Sequence, residues 1–163
     1  MIYLGADHRG FALKEKVKSW LTEWGHDYED RGAFEYDKDD DYPDFATAVA
    51  TAVALPVRQS LGEGGSLSNG SKGEVSKGVL ICGSGIGVAI AANKIKGIRA
   101  GTATSVEQVR ASANDEDLNV LAISADYTNE DSAKKIVKTF LETKFSGDDR
   151  HIRRVNKIKD FEK

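Results

Sequence analysis

A chain of 163 residues, 40% apolar and 30% charged, is long enough for one domain with a buried core and has the composition of an ordinary soluble globular protein. A net charge of −3 argues against nucleic acid or a membrane as partner, and no apolar run approaches the roughly 18 residues of a membrane span. The single cysteine, Cys82, excludes an intramolecular disulfide framework and fits a reducing cytoplasm, and the opening MIYLGADHRG meets charge too early for a signal peptide.

The apolar pattern alternates between strand and helix. MIYLG reads as a strand, and Leu13, Val17, Trp20, Leu21 and Trp24 recur at helical spacing before Gly25. HDYEDRG is a weaker strand. Asp41 or Asp44 with Pro43 marks a helix start, and Phe45, Val49, Ala52 and Val53 supply its apolar face. Residues 56–76, rich in Gly and Ser and without periodicity, read as an inserted flexible loop. GVLIC has the continuous apolar character of a strand covered on both faces. A helix over GVAIAANKI, a strand at IRAGTA, a helix from Ser105 to about Asn114 and a strand at NVLAIS follow. Ala133, Ile136, Val137, Phe140 and Leu141 mark the next helix.

This alternation predicts an α/β fold over residues 1–163: a three-layer α/β/α sandwich with a five-stranded, Rossmann-like parallel sheet. Residues 148–163 form a charged C-terminal helical arm whose stripe of Ile152, Val155 and Ile158 is expected to pack on a partner subunit.

The stretch GVLICGSGIGVAIAANKIKG carries the chemistry. It fails as a dinucleotide turn, because Val88 stands where the third glycine belongs and the next strand ends without an acid. Gly83, Ser84, Gly85 and Gly87 instead let backbone approach a ligand closely at a helix N-terminus, which welcomes a phosphate or an oxyanion. Cys82 is either a core residue ending the strand or a thiol placed where the helix dipole favours an anion. GADHRG follows the first strand as CGSGIG follows the third, and in a doubly wound sheet both turns open on one crevice. Asp7 and His8 then face the Cys82 turn, where Asp suits sugar hydroxyls and His a phosphate; a helix cap and an exposed loop residue are the alternatives.

GADHRGFALKEKVKSWL, DDDYPDFA, GVLICGSGIGVAIAANKIKGIRA, NVLAIS and RHIRRVNKI together resemble the ribose-5-phosphate isomerase B family, which includes galactose-6-phosphate isomerase subunits. The resemblance runs from Tyr3 to Ile158 around the Gly/Ser-rich loop. It implies an aldose–ketose isomerase that works without metal or cofactor on a phosphorylated sugar. It also implies a homodimer with sites at the subunit boundary; a dimer of dimers stays open. Cys82 matches the base that removes the proton beside the carbonyl. Ser84 and the backbone of Gly83, Gly85, Ile86 and Gly87 match the enediolate cradle. Asp7, His8 and Tyr42 match substrate contacts, and Arg150 and Arg154 match the phosphate clamp. The two arginines, four apart, project from one helix face.

Two positions depart from the family pattern. Where relatives often carry a ring-opening histidine, an ungapped alignment puts Asp115 and a two-residue insertion puts Ala113; Asp115 serves as an acid only if burial or Glu116 and Asp117 raise its pKa. An arginine that some relatives carry after the fifth strand is replaced by Asp126. The alternatives are an isomerase for a hexose or tetrose phosphate and a catalytically silent phosphosugar-binding subunit. The acidic run DKDDDYPD lacks the Gly and Glu of a calcium loop, and the three histidines lack zinc spacing.

Overall fold

In a computed structural model of the chain, residues 1–55 and 76–162 are described. Of the expected inserted loop, only Ser76 lies among them, and it is buried. Five strands, β1 (Ile2–Ala6), β2 (Tyr28–Asp30), β3 (Lys77–Cys82), β4 (Ala100–Thr102) and β5 (Val120–Ser124), form one parallel sheet in the order β2-β1-β3-β5-β4. The helices are α1 (Phe11–Glu23), α2 (Tyr42–Ala54), α3 (Ile86–Ala92), α4 (Val106–Glu116), α5 (Glu130–Glu142) and α6 (Asp149–Lys159).

Side chains alternate across the sheet because successive residues of a strand point to opposite faces. Ile2, Leu4, Val79, Ile81, Leu121 and Ile123 pack with Val17, Leu21, Val109, Ile136 and Phe140 from α1, α4 and α5. Tyr3, Leu80, Cys82, Val120 and Ala122 face the other way, toward Val49 and Val53 of α2 and Val88 and Ala92 of α3. The three layers are therefore as expected, and the unbroken run GVLIC reflects a strand buried on both faces. Each fully buried Leu or Ile contributes about 1.5–3 kcal/mol relative to an exposed one.

Local chemistry sets the helix starts and stops. Asp41 is the extended N-cap of α2, with Pro43 inside its first turn. Ser105 Oγ accepts from Gln108 N–H at 3.1 Å to cap α4, and Asn129 Oδ1 accepts from Ser132 N–H at 2.9 Å to cap α5. Lys14, completely buried, is satisfied by Asp30 Oδ1 at 2.6 Å, Asp30 Oδ2 at 2.7 Å and Ala33 O at 2.5 Å, which ties α1 to the end of β2. Among the described residues no helix is long and apolar enough to cross a membrane.

The C-terminal stripe divides. Val155 is buried in this chain together with His151, where α6 packs on α4, whereas Ile152 and Ile158 are exposed. Residues 152, 155 and 158 fan over about 120° of the helix at 3.6 residues per turn, and α4 covers only the middle of that arc.

Candidate active site

β3 lies between β1 and β5, so the turns leaving the carboxyl ends of these three strands meet. Together with the first residue of α2 they enclose a crevice of about 200 Å³ lined by Asp7, Arg9, Tyr42, Cys82, Gly83, Ser84, Gly87, Asp126 and Tyr127. The β1 turn is closed by Asp7 Oδ1, which accepts from Gly10 N–H at 2.9 Å, and it leans on β3 through Asp7 N–H to Ile81 O at 3.3 Å. Asp7 thus holds its own turn and lines the crevice as well. The β5 turn is stitched to the β3 turn: Ala125 N–H donates to Cys82 O at 2.9 Å, and Ser124 Oγ donates to Gly83 O at 2.6 Å.

Cys82 is 4% exposed, and it is one of the residues that line the crevice, with Asp7. Parity within β3 directs it to the α2/α3 face, and the turn that follows curls back over it. Gly85 N–H donates to Cys82 Sγ at 3.1 Å. That curl needs Gly85 at φ +75°, and a Cβ there would lie 3.0 Å from Ile123 C and Ser124 N, which are backbone atoms that cannot move aside cheaply. Ile86 N–H donates to Ser84 Oγ at 3.2 Å. Two of the amides expected in the oxyanion cradle, those of Gly85 and Ile86, thus already hold partners inside the turn. Tyr42 lies against Gly87, where an added Cβ would come within 2.8 Å of its ring.

His8 turns from this crevice toward the acidic loop before α2. Asp40 Oδ1 accepts the His8 backbone N–H at 3.1 Å and meets Nδ1 at 2.7 Å, so a single carboxylate oxygen fixes both main chain and ring. The hydrogen bond with Asp40 raises the His8 pKa, helped by the charges of Asp40 and Asp7 and opposed by burial and Arg9. A raised folded-state pKa means that the pair stabilises the fold fully below the ordinary histidine range. The contribution fades as pH climbs through the raised value. Asp40→Asn is expected to bring the His8 titration midpoint down toward ordinary histidine, read from its ring protons by NMR. An unmoved midpoint would remove Asp40 as the cause.

Asp115, Arg150 and Arg154 are not in this crevice. α4 runs back from the end of β4 to the start of β5, so Asp115 near its C-terminus lies at the opposite edge of the sheet. There Asp115 Oδ1 accepts from Asn114 Nδ2 at 2.7 Å and stands 3.9 Å from His151 Nε2 of α6, the helix that carries both arginines. His151 Nδ1 in turn meets Ser146 Oγ at 2.7 Å. The site residues read from the sequence therefore fall into two groups at opposite ends of the strands. A larger cavity of about 640 Å³ also lies at the strand-start edge, lined by His26, Lys77, Asp117 and Asn119 among others. Of its two lysines, Lys77 is already committed: its Nζ donates to Phe140 O at 2.7 Å, Thr143 O at 3.1 Å and Leu141 O at 3.2 Å, and burial lowers its pKa. Among the described residues no cluster of three or more His, Cys, Asp or Glu side chains could hold a metal ion.

Sequence reading missed Arg9, Asp40 and Tyr127 as members or supports of the site and met Asp126 only as a departure from a family pattern. A positional signal was available for three of them. Arg9 sits in the turn after β1, and Asp126 and Tyr127 sit just after β5, the strand that flanks β3 on its other side. Nothing local marks Asp40.

A crevice at the carboxyl ends of a doubly wound sheet, with a thiol under a glycine turn and carboxylates on the walls, defines a small-molecule enzyme site. The sequence profile of the family described as Ribose/Galactose Isomerase matches residues 2–62 and 67–158. Ribose-5-phosphate isomerase B of Mycolicibacterium paratuberculosis is 36% identical over 163 residues, covering 99% of this chain and 91% of its own. Ribose-5-phosphate isomerase B of Escherichia coli is 37% identical over 157 residues, covering 96% and 93%. Among solved structures, ribose-5-phosphate isomerase B from Mycoplasma genitalium with bound ribulose-5-phosphate superposes with a TM-score of 0.84 at 34% identity, covering 99% of this chain and 95% of the other. The chain belongs to the ribose/galactose isomerase family. Within that family it is an aldose–ketose isomerase of the ribose-5-phosphate isomerase B type.

Proposed function

We propose that the protein interconverts ribose 5-phosphate and ribulose 5-phosphate through an enediolate, with Cys82 as general base. The observation that carries this reading is Cys82 lining the same crevice as Asp7, with its Sγ held by the glycine turn. As thiolate, Sγ takes the proton from C2 of the open-chain aldose, and the C–H electron pair forms the C1–C2 double bond while charge collects on O1. The thiol then returns a proton to C1, and the O2 proton passes to O1, so the ketose forms without net gain or loss of atoms. Ser84 and the backbone of Gly83 to Gly87 would stabilise the oxyanion. The Gly85 N–H now on Cys82 Sγ and the Ile86 N–H now on Ser84 Oγ would have to be shared or released for that role. Asp7 and Tyr42 line the walls and offer hydrogen bonds to sugar hydroxyls.

One copy of the chain supplies part of such a site. A crevice of about 200 Å³ is smaller than the roughly 300–1,000 Å³ usual for ligand pockets, and among the described residues Arg9 is the one guanidinium lining it. We assign the missing phosphate clamp to Arg150 and Arg154 of a second copy, with Asp115 in the same contributed group as the acid for ring opening. In a two-fold dimer each copy both gives and receives, so two complete sites form. Exposed Ile152 and Ile158 on α6 supply apolar surface for that contact.

The test is incubation of purified protein with ribose 5-phosphate in deuterated water, followed by NMR. Ribulose 5-phosphate should accumulate, with deuterium on the carbon that gains the proton. Binding of the sugar phosphate with neither turnover nor deuterium uptake would replace this reading with that of a silent binding subunit. Turnover confined to a hexose or tetrose phosphate would replace the substrate.

A further inference from the structure

Arg9 and Asp126 belong neither to the base, nor to the oxyanion cradle, nor to the phosphate clamp, yet both line the crevice. Arg9 stands in the β1 turn and Asp126 follows β5, on either side of the β3 turn. Their ion pair, from Arg9 Nη2 to Asp126 Oδ2, therefore crosses above Gly83, the residue after Cys82. The crossing is close: a Cβ on Gly83 would lie 2.6 Å from Arg9 Nε and Cζ and 2.9 Å from Nη1. Backbone holds the acidic partner in place, because Asp126 N–H donates to Gly83 O at 3.1 Å. Tyr127 N–H donates to Ser124 Oγ at 3.0 Å and closes the same turn.

We propose that the Arg9–Asp126 pair is a specificity-determining element that reads hydroxyl groups of the sugar beside the reacting carbons. The proposal rests on the isomerase reading above. As a unit the pair is neutral, so a phosphate drawn to the guanidinium is repelled by the carboxylate a few ångströms away. A hydroxyl has the opposite requirement, since it both donates and accepts. Arg9 has five N–H donors, of which the ion pair uses one, and the Asp126 carboxylate keeps lone pairs to accept with. Pairing also fixes the plane of the guanidinium, so its remaining donors are oriented before the sugar arrives. The two side chains are 56% and 30% exposed, and a pair in such a setting adds little to the stability of the fold. Its variants should fold.

The experiment compares wild type with Arg9→Gln, Asp126→Asn and the double variant. Each single change is expected to lower kcat/KM for ribose 5-phosphate by about ten- to a hundredfold, and the double change should cost little more than the worse single one. The inhibition constant of inorganic phosphate should move by less than about twofold, since the anion is held elsewhere. Unchanged kcat/KM in both single variants would overturn the proposal. So would a rise in the phosphate constant that parallels the loss for the sugar, because the pair would then serve the anion. Equal thermal midpoints check that the variants are folded. Failure of the isomerase reading looks different, because wild type itself would then not turn over. Calorimetric binding of ribose 5-phosphate and of inorganic phosphate then decides: lost sugar affinity with phosphate binding kept supports the pair, and equal losses or none overturn it.

Discussion

Cys82→Ala is expected to lower turnover of ribose 5-phosphate by about a thousandfold or more while the protein stays folded. The size follows from the reaction. Removing a proton from carbon needs a base in contact with it, and positioned general bases contribute about 10²- to 10⁴-fold. Among the residues lining the crevice, the alternatives to the sulfur are the carboxylates of Asp7 and Asp126. Asp7 Oδ1 accepts from Gly10 N–H and Asp126 Oδ2 is paired with Arg9, so neither of these oxygens takes over without leaving its partner. The cost to the fold should be small. Replacing the thiol by a hydrogen leaves a gap at the end of β3 and removes an acceptor for Gly85 N–H, a loss on the order of 1 kcal/mol. Circular dichroism and a thermal melt would show the intact fold beside the lost activity. Cys82→Ser separates the roles further: the hydroxyl can still accept from Gly85, but it keeps its proton at neutral pH, so activity should stay low. An alanine variant within tenfold of wild type would end the assignment of Cys82 as base.

The second large effect tests the shared site. Arg150→Ala/Arg154→Ala removes two guanidinium groups from α6, and loss of charge-assisted contacts to a phosphate should raise KM by about tenfold or more for each. In the structure these residues are at the strand-start edge, across the sheet from Cys82. The double variant and Cys82→Ala should therefore complement each other when their subunits are exchanged. Random pairing makes half of the dimers mixed, and each mixed dimer has one site with both defects and one with none. At substrate well below the raised KM, activity should thus recover to about a quarter of the wild-type value from near zero in either parent. A mixture no more active than the sum of its parents would show that the arginines do not act in the site of another copy.

Residues whose meaning depends on spacing along the chain were legible before any coordinates. The strand GVLIC, the helix face of Val17, Trp20 and Leu21, and the helix start at Asp41 or Asp44 with Pro43 are local patterns with local causes, and the structure has the expected strand or helix at each. The meeting of GADHRG with CGSGIG was also legible, because strand order in doubly wound sheets is restricted and places β1 beside β3. Partners brought together by the fold were not. Asp40 reaches His8 across 32 residues, and Asp126 reaches Arg9 across 117. Neither contact has a sequence signature, since an acid in a loop looks the same whether it faces water or a histidine. The α6 stripe shows the same limit. Its apolar spacing announces a buried face, but only the position of α4 decides that Val155 is covered and Ile152 and Ile158 are left open.

By itself the sequence determined the layers, the strand ends where chemistry gathers, and a sulfur set before a glycine turn. Each of these is encoded in neighbours a few residues apart, through side-chain periodicity and backbone freedom. Only the tertiary structure decided which carboxylates touch His8 and Arg9, and that the arginines of α6 lie at the far edge from the thiol. Those facts depend on where separate helices and turns come to rest, and close packing of the whole domain sets that, beyond the reach of any local pattern.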